Sequence, residues 1–117
     1  MNKLLEELDQ LFKNEKWNQI IKKTKPLINL NNSIAPYYNL LGLSLSKLGK
    51  DIEAEQIFIQ GIKKFDKEIS LRSNIALIQI NLNKLNIAEK NLIEAEKIDK
   101  EDIYFLFALG LLKRSQF

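Results

Sequence analysis

The chain has 117 residues and contains neither cysteine nor histidine. No thiolate nucleophile, no imidazole base and no soft or imidazole metal ligand can therefore be built, and no disulfide framework can form. Chemistry is left to carboxylates, lysines, hydroxyls and amides. The carboxylates cluster at Glu6-Glu7, at Glu94 with Glu96, and at Glu101-Asp102. Residues this close in sequence point to different faces of a helix, so these pairs diverge rather than converge on one substrate. The four glycines, Gly42, Gly49, Gly61 and Gly110, are isolated, and no glycine-rich phosphate loop is made from them. No nucleophile, base and orienter stand together. The reading is of a chain that is not an enzyme, with no metal and no cofactor.

Charge gives a second candidate chemistry. Eighteen basic residues against 15 acidic ones leave a net charge of +3, and only Arg72 and Arg114 are arginine. Lys22-Lys23-Lys25, Lys63-Lys64 and Lys67 could form a basic stripe. A nucleic-acid footprint needs such lysines on one face with aromatics beside them, for which Tyr37 and Trp17 are candidates. Glu53, Glu55 and Glu89 interrupt the stripe, so it is read as a solvated face, and a nucleic-acid partner is not expected. The first residues, Met1 to Glu7, are amphipathic and acidic early, unlike a secretory leader. The longest apolar run, Ile103 to Leu112, covers about half of a membrane core. A soluble, cytoplasmic chain without a membrane span is expected.

Several helices must position these groups. Leu4, Leu5, Leu8, Leu11 and Phe12 recur at helical spacing and predict a first helix over about 2–13, capped by Asn2. A second is expected over about 17–30, kinked between Lys22 and Pro26 because proline removes a backbone donor and clashes with the preceding turn. Asn31-Asn32-Ser33 reads as a turn that caps a third helix over about 34–48, ended by Gly49 in a left-handed conformation. A fourth helix over about 51–65 would be capped by Asp51, and a fifth over about 67–82 by Asp66. Asn83 should repeat the role of Gly49. A sixth helix is expected over about 85–98, and a seventh, capped by Asp99, over 103–117. No stretch alternates at period two, so no sheet is expected.

The helices are not independent. Leu41-Gly42 reappears as Ile75-Ala76 and as Leu109-Gly110, and Ala54, Phe58 and Gly61 reappear as Ala88, Leu92 and Ala95, always 34 residues on. Trp17 falls in register with Asp51 and Leu85. Such a period marks a stacked array of helical hairpins. Small residues at Gly42, Ala54, Gly61, Ala76, Ala88, Ala95 and Gly110 let backbones approach, and Tyr38, Leu41, Phe58, Leu92 and Trp17 fill the gaps. In these residues the chain resembles the tetratricopeptide repeat (TPR) proteins over almost its whole length. The resemblance implies an all-α, right-handed superhelical solenoid of antiparallel helix hairpins with seven helices. One domain would hold repeats of about 1–34, 35–68 and 69–102 and a terminal helix. The sequence departs from the pattern at Arg72 and Gln79, which stand where Tyr38 and Leu45 stood, and in the absence of a closing proline at Asp66 and Lys100.

The resemblance also implies a groove lined by the first helix of each hairpin. The matching positions are Asn39, Leu43 and Ser46, then Ser73, Asn74, Leu77 and Ile80, then Tyr104, Phe107 and Leu111. Leu43, Leu77 and Leu111 would form an apolar stripe, with Asn39 and Asn74 holding the backbone of a peptide. These leucines could equally pack between helices. The basic clamp with which some TPR proteins grip a carboxyl terminus is missing: Leu5, Asp9, Ser70, Ser73 and Asn74 occupy its places. The expected function is a protein-interaction scaffold holding a peptide or partner protein. The alternative is a regulatory or substrate-recruiting array preceding a larger enzyme, such as a glycosyl- or sulfotransferase. The seventh helix is apolar on every face, from Ile103 to Leu112, and a helix of that kind wants neighbours on several sides. Three explanations stand open: a chain that continues beyond Phe117, self-association, or an exposed end.

Overall fold

The computed structural model describes residues 2–116, which form seven α-helices and one 3₁₀ turn. The helices are α1 (Lys3–Lys13), α2 (Trp17–Thr24), α3 (Ala35–Lys47), α4 (Asp51–Lys64), α5 (Ile69–Asn81), α6 (Leu85–Ile98) and α7 (Ile103–Ser115), with the 3₁₀ turn at Leu27–Asn29. No strand occurs among the described residues. The expected extension of the last helix to Phe117 lies outside them.

Consecutive helices pack as antiparallel hairpins. α3, α5 and α7 lie side by side in one row, and α4 and α6 sit behind it, each wedged between its neighbours in sequence. The front helices touch one another, whereas α4 and α6 do not meet. A front row in contact and a rear row splayed apart bends the stack around its front face. The result measures 41 × 27 × 22 Å.

The small residues of the repeat set these distances. A Cβ on Gly42 would come within 2.5 Å of the Phe58 ring, and one on Gly61 within 3.0 Å of Tyr38. α3 and α4 are therefore as close as their side chains allow. Ala54, Phe58, Ala88, Leu92 and Ala95 are all buried in the same role. The core divides into two clusters, one from α1 to α5 and one from α5 to α7.

Helix ends follow local chemistry. Asn2 caps α1, its side chain accepting from the Leu5 N–H at 3.2 Å. Gly49 (φ 79°) and Asn83 (φ 59°) both adopt the left-handed conformation. Each lets the next N–H reach back, Lys50 to the Leu45 carbonyl at 2.9 Å and Lys84 to that of Gln79 at 2.8 Å. This is the Schellman closure, and asparagine is the residue best able to replace glycine in it.

Five expectations are corrected. The second helix is not kinked at Pro26 but stops before it. Thr24 donates its hydroxyl to the Ile20 carbonyl, the chain turns at Lys25, and the Ile28 carbonyl accepts from the Tyr38 hydroxyl at 2.8 Å instead of from a helical N–H. Ser33 does not cap α3. Ile34 holds the cap position without a side-chain bond, and the Ser33 hydroxyl receives the Lys64 ammonium at 2.7 Å. Asp51 and Asp66 are not caps either; Lys50 and Glu68 occupy those positions. Asp51 instead accepts from the Ser46 hydroxyl at 2.6 Å. The cap of α7 is Asp102, which accepts from the Phe105 N–H at 3.0 Å, while Asp99 folds the preceding turn by accepting from Glu101.

Candidate functional site

On the front face, α3, α5 and α7 enclose a cleft of about 280 Å³ lined by Asn39, Leu43, Ser70, Asn74 and Tyr104. Ser70 and Asn74 stand four residues apart on α5, so both present to α3. Asn39 meets them from the other side. The Asn74 amide donates to the Asn39 carbonyl oxygen at 2.9 Å, and the Asn39 amide donates to the Ser70 hydroxyl at 2.8 Å. The three form a polar ladder between two helices whose flanks are otherwise apolar.

This ladder is pre-set but not saturated. Each carboxamide offers two N–H groups and an oxygen with two lone pairs. One N–H on each amide, the Asn74 oxygen and the Ser70 hydroxyl proton keep capacity for an incoming group. Leu43 forms an apolar wall, half-buried against the first core cluster. Tyr104 is 60% exposed and closes the cleft from α7. No charged residue lines it. Uncharged donors and acceptors beside an apolar wall and a free aromatic ring suit a peptide backbone with an apolar or aromatic side chain. They do not suit a phosphate or an isolated carboxylate.

Of the residues expected in the groove, Asn39, Leu43, Asn74 and Tyr104 come together here. The others do not line this cleft. Ser73 is fully buried with its hydroxyl unpartnered, beneath the surface rather than on it. Ser46 is turned back onto Asp51. Leu77 and Ile80 are half-buried against the second cluster, Leu111 is half-buried, and Phe107 is exposed on α7 without lining the cleft. The expected stripe of Leu43, Leu77 and Leu111 is therefore not continuous in this cleft. Ser70, read from the sequence only as a replacement for a missing clamp residue, joins the lining, and the register places it 34 residues before Tyr104.

The lysine groups do not stand free as one stripe. Lys23 pairs with Glu7 at 3.0 Å, and Lys64 donates to the Leu30 carbonyl and to Ser33. Trp17 is half-buried, edge-on to Phe12 at 5.0 Å. Among the described residues no three carboxylates gather where they could hold a metal ion, and no helix is long and apolar enough to cross a membrane.

A second polar arrangement lies between the rear helices. Glu55 on α4 is buried and accepts from Lys84 at 2.7 Å and from the Gln79 amide at 3.1 Å. Gln79 accepts from Asn91 at 2.9 Å, and Asn91 accepts from Arg72 at 3.2 Å. The two departures from the repeat pattern, Arg72 and Gln79, are thus joined in one line.

The stacked hairpins, the bent front row and the small-residue register decide the architecture. The chain has the fold of a TPR domain. It superposes on the TPR domain of Arabidopsis OM64 with a TM-score of 0.82 at 18% identity, covering 93% of this chain and 90% of that one. The second TPR domain of human RPAP3, solved with the HSP70 peptide SGPTIEEVD, gives 0.82 at 18% identity over 92% and 90%. The Yersinia enterocolitica type III secretion chaperone SycD, solved with a peptide of the translocator YopD, gives 0.81 at 18% identity over 99% and 95%. No family model matches the sequence, and no curated protein does.

Proposed function

We propose that this chain is a peptide-binding interaction scaffold whose front cleft holds a short extended segment of a partner protein. The observation that carries this reading is the Asn74–Asn39–Ser70 ladder, placed beside Leu43 and under the exposed ring of Tyr104. An amide ladder with unused donors and acceptors matches a peptide backbone, and the ring and leucine accept a side chain. Two chains of the same fold, RPAP3 and SycD, are solved with peptides, which supports the reading.

The cleft's lack of charge sets its preference. A neutral segment with an aromatic or aliphatic anchor is favoured. An acidic tail such as SGPTIEEVD finds no lysine or arginine in the lining and should bind no better than its scrambled form. Phage-displayed random peptides, followed by fluorescence titration of the selected sequences, test the proposal. Tyr104→Ala should weaken a selected peptide by more than about 1 kcal/mol, as truncation of an aromatic anchor does, with helicity by circular dichroism unchanged. Peptides that bind Tyr104→Ala and Asn74→Ala as tightly as the parent chain would remove the cleft from the account.

A further inference from the structure

The last helix poses a question that the cleft does not answer. In α3, the residues Ala35, Tyr38, Gly42 and Leu45 are all buried. Their counterparts one repeat on, in α5, are half-buried or buried. Two repeats on, in α7, the same register holds Ile103, Leu106, Gly110 and Lys113, and all four are exposed. Ile103 is 70%, Leu106 48% and the adjoining Phe107 61% exposed.

Gly110 sharpens the point. Glycine inside a helix is unfavourable and usually marks a close approach. A Cβ at Gly42 would strike Phe58, whereas one at Gly110 would meet nothing within 4 Å. The notch is built, and no described residue fills it. Leu106, Phe107 and Gly110 lie four and three residues apart, so large and small groups share one face of α7. The α3–α4 interface is made of the same two halves: Tyr38 and Gly42 four apart on one helix, Phe58 and Gly61 three apart on the other.

We infer that two copies of this chain pair through α7, antiparallel, with Leu106 and Phe107 of each copy seated on Gly110 of the other. α7 carries both halves of the internal interface, so it is complementary to itself. A two-fold interface requires this property. Its charges agree. Asp99, Glu101 and Asp102 lie at its N-terminal end and Lys113 and Arg114 at its C-terminal end. An antiparallel pair centred near Ala108 brings Glu101 of one copy beside Arg114 of the other, twice. Tyr104, three residues before Phe107, borders this face; the pairing uses none of the Asn39, Ser70 and Asn74 ladder and does not rest on the peptide reading.

Light scattering on a size-exclusion column tests the inference, with a mass of twice 13.6 kDa expected at sub-millimolar concentration. Leu106→Glu should raise the dimer Kd by more than about a hundredfold, because symmetry buries the new charge twice. Gly110→Leu should do the same by filling the notch. Both positions are exposed in the single chain, so helical circular dichroism should not change. Glu101→Arg and Arg114→Glu should each weaken the dimer, and together restore it. A monomer at every concentration would overturn the inference, as would a dimer indifferent to Leu106→Glu and Gly110→Leu. So would a monomer whose α7 face binds a synthetic helix with the α4 sequence, which would assign the face to a helix from another chain.

Discussion

Hairpins α3–α4 and α5–α6 occupy the same register and are closed by different physics. In α3–α4, Tyr38 lies against Gly61, Phe58 fills the notch at Gly42, and Leu45 is buried. In α5–α6, the counterparts of Tyr38 and Leu45 are Arg72 and Gln79. They are joined through Asn91, and Gln79 is joined to Glu55 on the preceding helix. The polar line costs something, since the buried Arg72 Nε has no partner. It also does what apolar packing does not: it ties α4, α5 and α6 to one another by directional bonds. The repeat therefore demands a helix spacing and leaves open how the gap is filled.

The largest effect that would test this contrast is at Phe58. Phe58→Ala should cost about 3–5 kcal/mol in urea unfolding, as removal of a fully buried ring does. Gly42→Ala should cost up to about 3 kcal/mol, because the added methyl meets a buried ring. The second hairpin suggests its own remedy, for Ala76 and Leu92 in the same register share one buried cluster. Gly42→Ala with Phe58→Leu should therefore be more stable than the sum of the single changes by about 0.5–3 kcal/mol. Strict additivity would mean that the two residues do not set the spacing together.

In the polar hairpin the matching change is Glu55→Ala. It leaves the buried Gln79 amide without its acceptor and should cost about 1–2 kcal/mol by the same unfolding measurement. Lys84, half-exposed, can return to water. Converting the line to the apolar set of the first hairpin, with Arg72→Tyr and Gln79→Leu, leaves buried Glu55 with Lys84 alone and Asn91 with neither partner, and should cost about 1–3 kcal/mol. A loss as large as that of Phe58→Ala would show that the bonds matter more to this hairpin than packing does.

The register explains why so much of the fold was legible. Small and large residues at a fixed spacing report backbone distance directly, and Gly49 and Asn83 report a backbone angle. Asp51, Asp66 and Asp99 misled because a carboxylate near a helix start has several partners to choose from. Asp51 chose Ser46, and Asp99 chose its own turn. The end of α2 was set by Tyr38, ten residues away from Ile28, which no local pattern shows. At the cleft, Asn39, Leu43, Asn74 and Tyr104 were readable as front-facing positions. Ser73 was not separable from them, because its burial comes from the packing around α5, which the register alone does not give. The polar line was invisible as a line. Arg72 and Gln79 could be seen only as exceptions until Glu55 and Asn91 were placed beside them.

The smallest effect is also the one whose sign is most informative. Gly110 and Gly42 hold the same register, yet a Cβ at Gly110 enters open space. In dilute solution Gly110→Ala should stabilise the chain by about 0.5–1 kcal/mol, the usual gain from replacing an unconstrained helical glycine. Gly42→Ala should do the opposite. The two curves therefore separate a notch that is filled from one that is empty. With rising protein concentration the gain at Gly110 should shrink, because its methyl would then meet Leu106 and Phe107 of a second copy. A gain that is constant with concentration would mean that nothing seats on α7. A loss at every concentration would mean that this face is packed even in the single chain, and the contrast between the first hairpin and the last helix would collapse.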